Sequence, residues 1–331
     1  MENFGPYRLL ERIASGGMGE IYRAKRLGAA GFEKVVALKM VLPEHARDAE
    51  FVQALIDEAK LASRLTHGNI AQILDLVQVG EDWAEVLEFV DGIDLFRLER
   101  TLEQHERRLG VDEAVHIGKE ILIGLDYVHR ATDDGGTPLG LVHCDVAPAN
   151  VMINKGGEVK LLDFGTAVGH SRTLGQRAPG GKIRYRAPEQ VRGDEFDPRS
   201  DLYSVGVVLW ELLAGERIYE SMSLEAIVEA ARTADVPPIA GIRPELPEGL
   251  VRVLKRALQA DPRYRYPHAA AFLRALEDLP VGRDPARSRH VLSEIVGALR
   301  ADDGGSNQPL NAVTVAEEES HSLEDVLDRE L

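Results

Sequence analysis

Short apolar runs separated by glycines dominate the first hundred residues of the chain. Five of these runs predict β-strands: YRLLERIA, EIYRAKRL, VVALKMV, IAQILDLVQVG and WAEVLEFV. One helix is predicted among them, from Asp48 to Leu65, because apolar residues recur there at helical spacing and Gly68 follows. This part of the chain is therefore predicted to be mainly a sheet.

Beyond Leu95 the apolar residues recur at the spacing of amphipathic helices. The strongest helical segments are DEAVHIGKEILIGLDYVHRA, DLYSVGVVLWELLAG, SLEAIVEAAR, GLVRVLKRALQ and HAAAFLRALEDL. Strands and helices that are segregated along a chain indicate the α+β class rather than an alternating parallel-sheet protein. We expect a small β-rich unit over residues 1–90, a larger helical unit over 91–282 and a helical extension over 283–300.

Composition excludes several classes of function. The 331 residues carry a formal charge of −16, which disfavours a broad nucleic-acid or anionic-lipid surface, because such surfaces need clustered Lys and Arg. The single cysteine, Cys144, excludes an intramolecular disulfide and a cysteine-based zinc site. The sequence shows neither a signal peptide nor an uncharged apolar stretch of about 18 residues. We expect a cytoplasmic protein without membrane or nucleic-acid partners.

Residues 301–331 differ from the rest of the chain in composition. They contain nine acidic residues and one arginine, a net charge of −8, and begin with a glycine-containing linker. Three interpretations stay open. The segment is a solvated, disordered tail, or it forms a short helix that docks on a partner through Leu323, Val326, Leu327 and Leu331. The third is that it lies across a cationic loop of the same chain as a brake.

A glycine-rich turn, SGGMGEIY, lies between the first two predicted long strands. Such a turn brings backbone N–H groups against phosphate oxygens without Cβ clashes, although a lone glycine cluster is more often a simple hairpin. The next strand carries Lys39, from which an ammonium group can reach phosphates, and Glu58 follows 19 residues later on the predicted helix. The spacing of these three features indicates a nucleotide site.

The segment LVHCDVAPANVMINKGGEVKLLDFG carries the strongest chemical signal. Asp145 and Asn150 lie five residues apart in a predicted loop, and Asp163 follows a hairpin turned at residues 155–157. One carboxylate can accept a hydroxyl proton, while an amide and a second carboxylate supply hard oxygen ligands for a divalent cation. The ordered set predicts phosphoryl transfer.

These motifs, in this order, resemble the protein kinase family, specifically the bacterial kinases of the eukaryotic-like serine/threonine type. The resemblance runs from about Tyr7 to Leu279. It implies a bilobal protein kinase fold, with a small β-rich N-lobe, a larger mainly helical C-lobe and an ATP cleft between them. It also implies ATP and Mg²⁺, with Mn²⁺ as an alternative metal, and a protein substrate.

The resemblance gives a role to each nucleotide-site position. Ala14, Gly16, Gly17 and Gly19 would form the loop over the phosphates, and Lys39 would pair with Glu58. The adenosine would be contacted by Ile21, Ala37, the gatekeeper Leu87, the hinge residues Glu88 and Val90, Asp94 and Met152.

The resemblance also separates chemistry from scaffold in the helical part. Asp145 would be the catalytic base, with Asn150 and Asp163 as metal ligands. Glu189, which ends an Ala-Pro-Glu motif, would pair with Arg265, and Asp201 would support the catalytic loop from a buried helix.

Four positions depart from the family pattern. Ala14 stands where the first loop glycine is usual, which we expect to weaken nucleotide binding modestly. Cys144 replaces the arginine that normally precedes the catalytic aspartate and receives a phosphorylated activation segment. Phosphorylation of Ser171 or Thr173 therefore need not control activity.

The other two departures are Ala147 and Lys182. Ala147 replaces a lysine that neutralises the transferring phosphoryl group, and Lys182 replaces a threonine that contacts the catalytic aspartate. Because the family's geometry brings these positions together beside Asp145, we expect Lys182 to supply the missing charge. The alternative is that Lys182 is a solvated loop lysine and the site is impaired.

The sequence therefore favours an ATP-dependent protein serine/threonine kinase. The alternative is a pseudokinase or weakly active scaffold, favoured by Cys144 and Ala147. A tyrosine acceptor is disfavoured because Ala149 replaces the arginine that tyrosine kinases carry there. A small-molecule acceptor is disfavoured by the Ala-Pro-Glu motif and the long helical part. The activation segment also carries five basic residues: Arg172, Arg177, Lys182, Arg184 and Arg186. This basic patch favours acidic substrates or holds the segment's own phosphates, or it only keeps the loop soluble.

Overall fold

The computed structural model describes residues 3–16, 19–163 and 180–302. The strands are β1 (Asn3–Phe4), β2 (Tyr7–Gly16), β3 (Gly19–Leu27), β4 (Glu33–Val41), β5 (Ile73–Val79), β6 (Asp82–Glu88), β7 (Gly92–Asp94), β8 (Val151–Asn154) and β9 (Val159–Leu161). The helices are α1 (Pro43–Ala46), α2 (Ala49–Ala62), α3 (Leu95–Gln104), α4 (Val111–His129), α5 (Pro188–Arg192), α6 (Arg199–Ala214), α7 (Leu224–Thr233), α8 (Ile239–Ile242), α9 (Glu248–Ala257), α10 (Ala269–Glu277) and α11 (Pro285–Asp302). The α+β prediction is confirmed.

The first of two compact units contains β1–β6 and α2. Its sheet has the order β1-β2-β3-β4-β6-β5, and every neighbouring pair is antiparallel. One face of the sheet packs a core that includes Tyr7, Leu38 and Val86. Because strand side chains alternate between faces, residues next to these core positions point to the other face.

Helix α2 begins where the sequence predicts. The Asp48 side chain accepts hydrogen bonds from the backbone N–H groups of Glu50 and Phe51, which satisfies two donors at the helix start. The side chains of Leu55 and Ala59 are buried on its inner face. Burial of this stripe agrees with the helical spacing of the apolar residues.

The second unit consists of Gly68–Ile70 and Gly92–Gly297. It is mainly helical and carries a small sheet of order β7-β8-β9. Helix α6 lies at its centre, since every residue from Ser200 to Ala214 is buried. The chain segments around α6 therefore have a rigid support.

Helix α11 begins inside the predicted extension, 283–300, and ends two residues beyond it, at Asp302. Its residues Val291, Leu292, Ile295 and Val296 are fully buried. Close to it, Gly157 has φ +74° in the β8–β9 turn, and a Cβ there would overlap the Arg289 carbonyl oxygen. Ser293 Oγ donates to the Lys155 carbonyl at 2.6 Å, so α11 and the turn are fitted closely. No helix among the described residues is both long and apolar enough to span a bilayer.

Candidate active site

The carboxylate of Asp145 is held by the side chain of Asn150. Asn150 Nδ2 donates to both the backbone oxygen and Oδ2 of Asp145, each at 2.7 Å. The Asp145 side chain stays 19% exposed, whereas Asn150 is buried. Asp145 therefore has a fixed orientation together with access to a reactant.

Lys182 contacts the same carboxylate from a distant part of the sequence. Its Nζ donates to Asp145 Oδ2 at 2.5 Å, from a 3-10 helix over Gly180–Tyr185. Lys182 is one-third exposed, so the ammonium also faces solvent. Ala147, where the family's lysine is usual, is buried. The contact expected from the two departures is thus present.

Asp201 of α6 holds the backbone of the catalytic loop. Its Oδ2 accepts the His143 N–H and its Oδ1 accepts the Cys144 N–H, both at 2.8 Å. The same Oδ2 lies 2.7 Å from His129 Nε2. Because Cys144 has φ +66°, a sparsely populated region for a residue with a Cβ, these bonds hold a strained turn.

His143 connects the catalytic loop to the chain before Asp163. Its Nδ1 accepts the Asp145 N–H at 3.3 Å, so its Nε2 carries the proton and donates to the Leu162 carbonyl at 3.0 Å. Asp163 follows directly, with φ +53°. In addition, the Leu162 N–H donates to the Asn150 carbonyl at 2.8 Å. The backbones of Asn150 and Asp163, the expected metal ligands, are therefore linked through one residue.

Arg186 is a neighbour of Asp145 that sequence reasoning placed only in a basic patch. Burial lowers the pKa of the Arg186 guanidinium, and the charge of Asp145 opposes that shift. Arg186 also interacts electrostatically with Cys144, and burial raises the pKa of the Cys144 thiol. A guanidinium is thus present beside the loop although residue 144 is not arginine. In the basic patch, Arg172 and Arg177 lie outside the described residues, as do Ser171 and Thr173.

The scaffold pair implied by the resemblance is present and buried. Arg265 donates to both carboxylate oxygens of Glu189, at 2.7 and 2.8 Å, and the Ser200 hydroxyl donates to the same carboxylate at 2.6 Å. The Arg265 side chain has no exposed surface. This pair joins the start of α5 to the segment before α10.

In the first unit, strand register brings four of the expected nucleotide contacts to one face of the sheet. The register pairs Ile21 with Lys39 and Ala37 with Leu87. It also pairs Lys39 with Glu85, whose Oε2 lies 3.8 Å from Lys39 Nζ. Sequence reasoning missed Glu85, since only the register shows which residue of β6 lies opposite Lys39.

The glycine loop is described in part. The register pairs Ala14 with Ile21 and Gly16 with Gly19, whereas Gly17 lies outside the described residues. A Cβ at Gly19 would overlap the Met40 carbonyl oxygen on the neighbouring strand. Glycine is therefore required at position 19 by the sheet itself.

The remaining expected contacts lie on defined elements. Glu58 is buried on α2, and Val90 follows β6 and is buried. Glu88 N–H donates to the Gln72 carbonyl at 2.8 Å. Asp94 caps α3 by accepting the Arg97 N–H at 2.9 Å, and burial raises the pKa of its carboxyl group. These four residues are expected near the nucleotide, together with Met152, which pairs with Asp94 across β7 and β8.

The fold and the catalytic loop define a protein kinase, and comparisons with known proteins agree. Residues 7–274 match the family model for the protein kinase domain, so the chain belongs to this family. It is 37% identical over 279 residues to the tyrosine-protein kinase MasK of Myxococcus xanthus, covering 84% of this chain and 43% of MasK. It is 30% identical over 267 residues to the serine/threonine-protein kinase PrkC of Bacillus subtilis, covering 79% of this chain and 38% of PrkC. The chain thus spans less than half the length of these two relatives.

A solved structure gives the same result for the fold. The kinase domain of PknI from Mycobacterium tuberculosis is 29% identical, with a TM-score of 0.63 over 84% of this chain and 97% of that domain. The predicted protein kinase fold, with a β-rich N-terminal lobe and a helical C-terminal lobe, is confirmed.

Proposed function

We propose that this chain transfers the γ-phosphoryl group of ATP to a serine or threonine hydroxyl of a protein. The observation that carries the proposal is the surroundings of Asp145. One carboxylate oxygen receives Lys182 Nζ at 2.5 Å and Asn150 Nδ2 at 2.7 Å. An ammonium group and an amide therefore hold one partly exposed carboxylate where a hydroxyl proton can be accepted.

Asp145 acts as the base and orients the acceptor hydroxyl. Phosphoryl transfer depends mainly on positioning and on stabilising charge, so a carboxylate with a fixed orientation fits this role. Lys182 supplies the positive charge that a lysine at position 147 would otherwise bring. Because it is partly exposed, its ammonium can face Asp145 and the transferring group together.

Asn150 and Asp163 are the proposed metal ligands. Among the described residues, no group of three or more His, Cys, Asp or Glu is arranged to hold a metal. An amide and a carboxylate suit Mg²⁺, which keeps few protein ligands and takes phosphate oxygens for the rest, with Mn²⁺ as an alternative. Asn150 donates through Nδ2, and its Oδ1 makes no hydrogen bond within the described chain, so a ligand atom is available. The metal would neutralise phosphate charge.

The nucleotide contacts are proposed from the same face of the first unit. Lys39 would bind phosphate oxygens, while Ile21, Ala37 and Leu87 would contact the adenine. The backbone of residues 14–19 would lie over the phosphates, with Ala14 weakening this contact modestly. Asp94 and Met152, which pair across β7 and β8, would contact the ribose and adenine.

A protein hydroxyl is the proposed acceptor. The relatives include enzymes named for both acceptor types, tyrosine in MasK and serine/threonine in PrkC. Ala149 argues for serine or threonine, because the arginine that tyrosine kinases carry there is absent. Residues 303–331 lie outside the described part of the chain. From sequence alone, we also propose that the acidic segment 301–331 docks a partner protein, the alternative being a solvated tail. Truncation after Arg300 would then abolish binding of that partner without lowering transfer to a short peptide.

Incubation with Mg²⁺ and γ-labelled ATP, beside an Asp145→Asn control, tests the proposed activity. We expect label on serine or threonine in the wild type and none in the control, with the sites mapped by mass spectrometry. Label on tyrosine would overturn the acceptor assignment. A wild type that ATP stabilises thermally but that transfers no label would instead be a nucleotide-binding scaffold.

A further inference from the structure

Lys39 has a carboxylate neighbour on its own sheet. Glu85 lies directly opposite it on β6, and the distance from Lys39 Nζ to Glu85 Oε2 is 3.8 Å. Both residues, and Glu58 on α2, belong to the first unit. The family resemblance assigns Lys39 one partner, Glu58, and gives Glu85 no role.

Glu85 is held in place by the sheet. Its side chain is 5% exposed, compared with 20% for Lys39. Their neighbours along the two strands, Leu38 and Val86, are fully buried in the core on the opposite face of the sheet. Because side chains alternate along a strand, Glu85 and Lys39 stay on the same face of the sheet unless β4 and β6 change register and expose that core.

A carboxylate buried to this extent is costly unless a cation lies nearby. The sheet provides that cation in Lys39, the same ammonium that would bind the nucleotide phosphates. The two partners of the ion pair thus lie on two adjacent, hydrogen-bonded strands, β4 and β6. A pair with Glu58, by contrast, would depend on where helix α2 packs.

We propose that Glu85 is a positioning residue for Lys39. It keeps the ammonium on the nucleotide-facing side of the sheet, so that the placement of Lys39 does not depend on Glu58 alone. This inference rests on the proposed function, because it gives Lys39 its role in binding ATP.

A double-variant cycle of Glu58→Gln and Glu85→Gln tests the inference by kinetics. We expect kcat/KM for ATP to fall about tenfold in each single variant. In the double variant, kcat/KM should fall by a factor at least ten times larger than the product of the two single-variant factors. The reason is that two carboxylates sharing one lysine compensate for each other in the single variants. Asp82→Asn removes an exposed carboxylate from the same strand and should behave as wild type. Wild-type kinetics in Glu85→Gln, or a double variant equal to the product, would overturn the inference.

A second readout needs no phosphotransfer. Acylation of Lys39 by an amine-reactive reagent is followed against pH by peptide mass spectrometry. Removing a neighbouring negative charge makes an ammonium lose its proton more easily. The labelling curve should therefore move to lower pH in Glu85→Gln, move less in Glu85→Asp, and stay unchanged in Asp82→Asn. Identical curves for wild type and both Glu85 variants would contradict the inference.

The two readouts separate the two ideas. If the wild type transfers no phosphate but the acylation curve shifts in Glu85→Gln, the proposed activity is wrong and the pairing of Glu85 with Lys39 stands. If phosphate is transferred and the acylation curve does not shift, the proposed activity stands and the pairing of Glu85 with Lys39 is wrong.

Discussion

Lys182 and Asp145 form an ion pair between residues that lie 37 positions apart in the chain, with Nζ and Oδ2 separated by 2.5 Å. The lysine comes from the 3-10 helix before the Ala-Pro-Glu motif, whereas the family's usual lysine lies two residues after the catalytic aspartate. An ammonium can therefore reach the same carboxylate from a different segment. Under the proposed function, this pairing supplies the positive charge that Ala147 does not bring.

Asp201→Asn should weaken the catalytic loop. The amide has one oxygen, whereas the carboxylate accepts the backbone N–H groups of both His143 and Cys144 and also contacts His129. A buried donor left unsatisfied costs about 1–3 kcal/mol, so the free energy of unfolding should fall by that amount. The turnover number should fall as well, because the turn before Asp145 loses its support.

Asp197→Asn is the control for this variant. Asp197 pairs with Arg199, and both side chains remain partly exposed, where such a pair contributes about 0–1 kcal/mol. Urea unfolding of both variants checks the difference. Equal losses of stability would contradict the role given to Asp201.

Glu189→Gln should destabilise the second unit strongly. It would leave the buried Arg265 guanidinium without its negative partner, a change that typically costs about 3–5 kcal/mol. Glu248→Gln removes a carboxylate from an exposed pair with Arg252 and should change the free energy of unfolding by less than about 1 kcal/mol. Chemical denaturation of both variants measures the difference in their free energies of unfolding. A decrease of less than about 1 kcal/mol in Glu189→Gln would contradict the stabilising role of the buried pair.

Glu211 should make stability depend on pH. Burial raises the pKa of its carboxyl group to about 7, against hydrogen bonds from the Ile218 N–H and the Tyr185 hydroxyl. A raised pKa means that the folded state holds the proton more tightly than the unfolded state. Glu211 therefore stabilises the folded state fully below pH 4.5, the ordinary pKa of a glutamate side chain. This stabilisation is lost as the pH rises through about 7.

The stabilisation that Glu211 loses with rising pH follows from the rise in its pKa and is on the order of 3 kcal/mol. Subtracting the stability of Glu211→Gln from that of the wild type at each pH isolates it. The difference should fall as pH rises between 4.5 and 7. Glu216→Gln, which removes an exposed carboxylate nearby, should give no such slope. A flat difference for Glu211→Gln would show that folding does not raise the pKa of Glu211.

Gly157→Ala should loosen helix α11. Position 157 has φ +74°, where an alanine backbone is strained. A Cβ there would also overlap the Arg289 carbonyl oxygen and displace α11. We expect a loss of about 1–3 kcal/mol, the range for an overfilled contact, and faster amide exchange in α11. At Gly156 the nearest atom to an added Cβ is 3.3 Å away, and Gly156→Ala is the matched control. Equal exchange rates in the two variants would contradict a close fit.

Sequence alone predicts the elements where local pattern and burial agree. The five predicted strands became β2–β6, because alternation matches a sheet with one buried face. Helix α2 appears where Asp48 supplies its cap. Two boundaries differ by three residues, since β5 begins at Ile73 rather than Ile70 and α2 ends at Ala62 rather than Leu65.

The site was predictable where chemistry follows motif order. Lys182 was placed beside Asp145 because two departures from one family pattern complement each other in charge. Glu85 and Arg186 were not recognised, for a physical reason. Their positions beside Lys39 and Asp145 arise from strand register and chain packing, which local residue spacing does not encode.

The most direct test of the central claim moves the lysine back. Single-turnover transfer from ATP is measured for wild type, Lys182→Thr and the double variant Ala147→Lys with Lys182→Thr. We predict that Lys182→Thr slows transfer about 10²- to 10³-fold, as for loss of one preorganised charge stabiliser. The double variant should recover most of that loss. Wild-type rates in Lys182→Thr, or no recovery in the double variant, would contradict the role of Lys182 as the relocated catalytic cation.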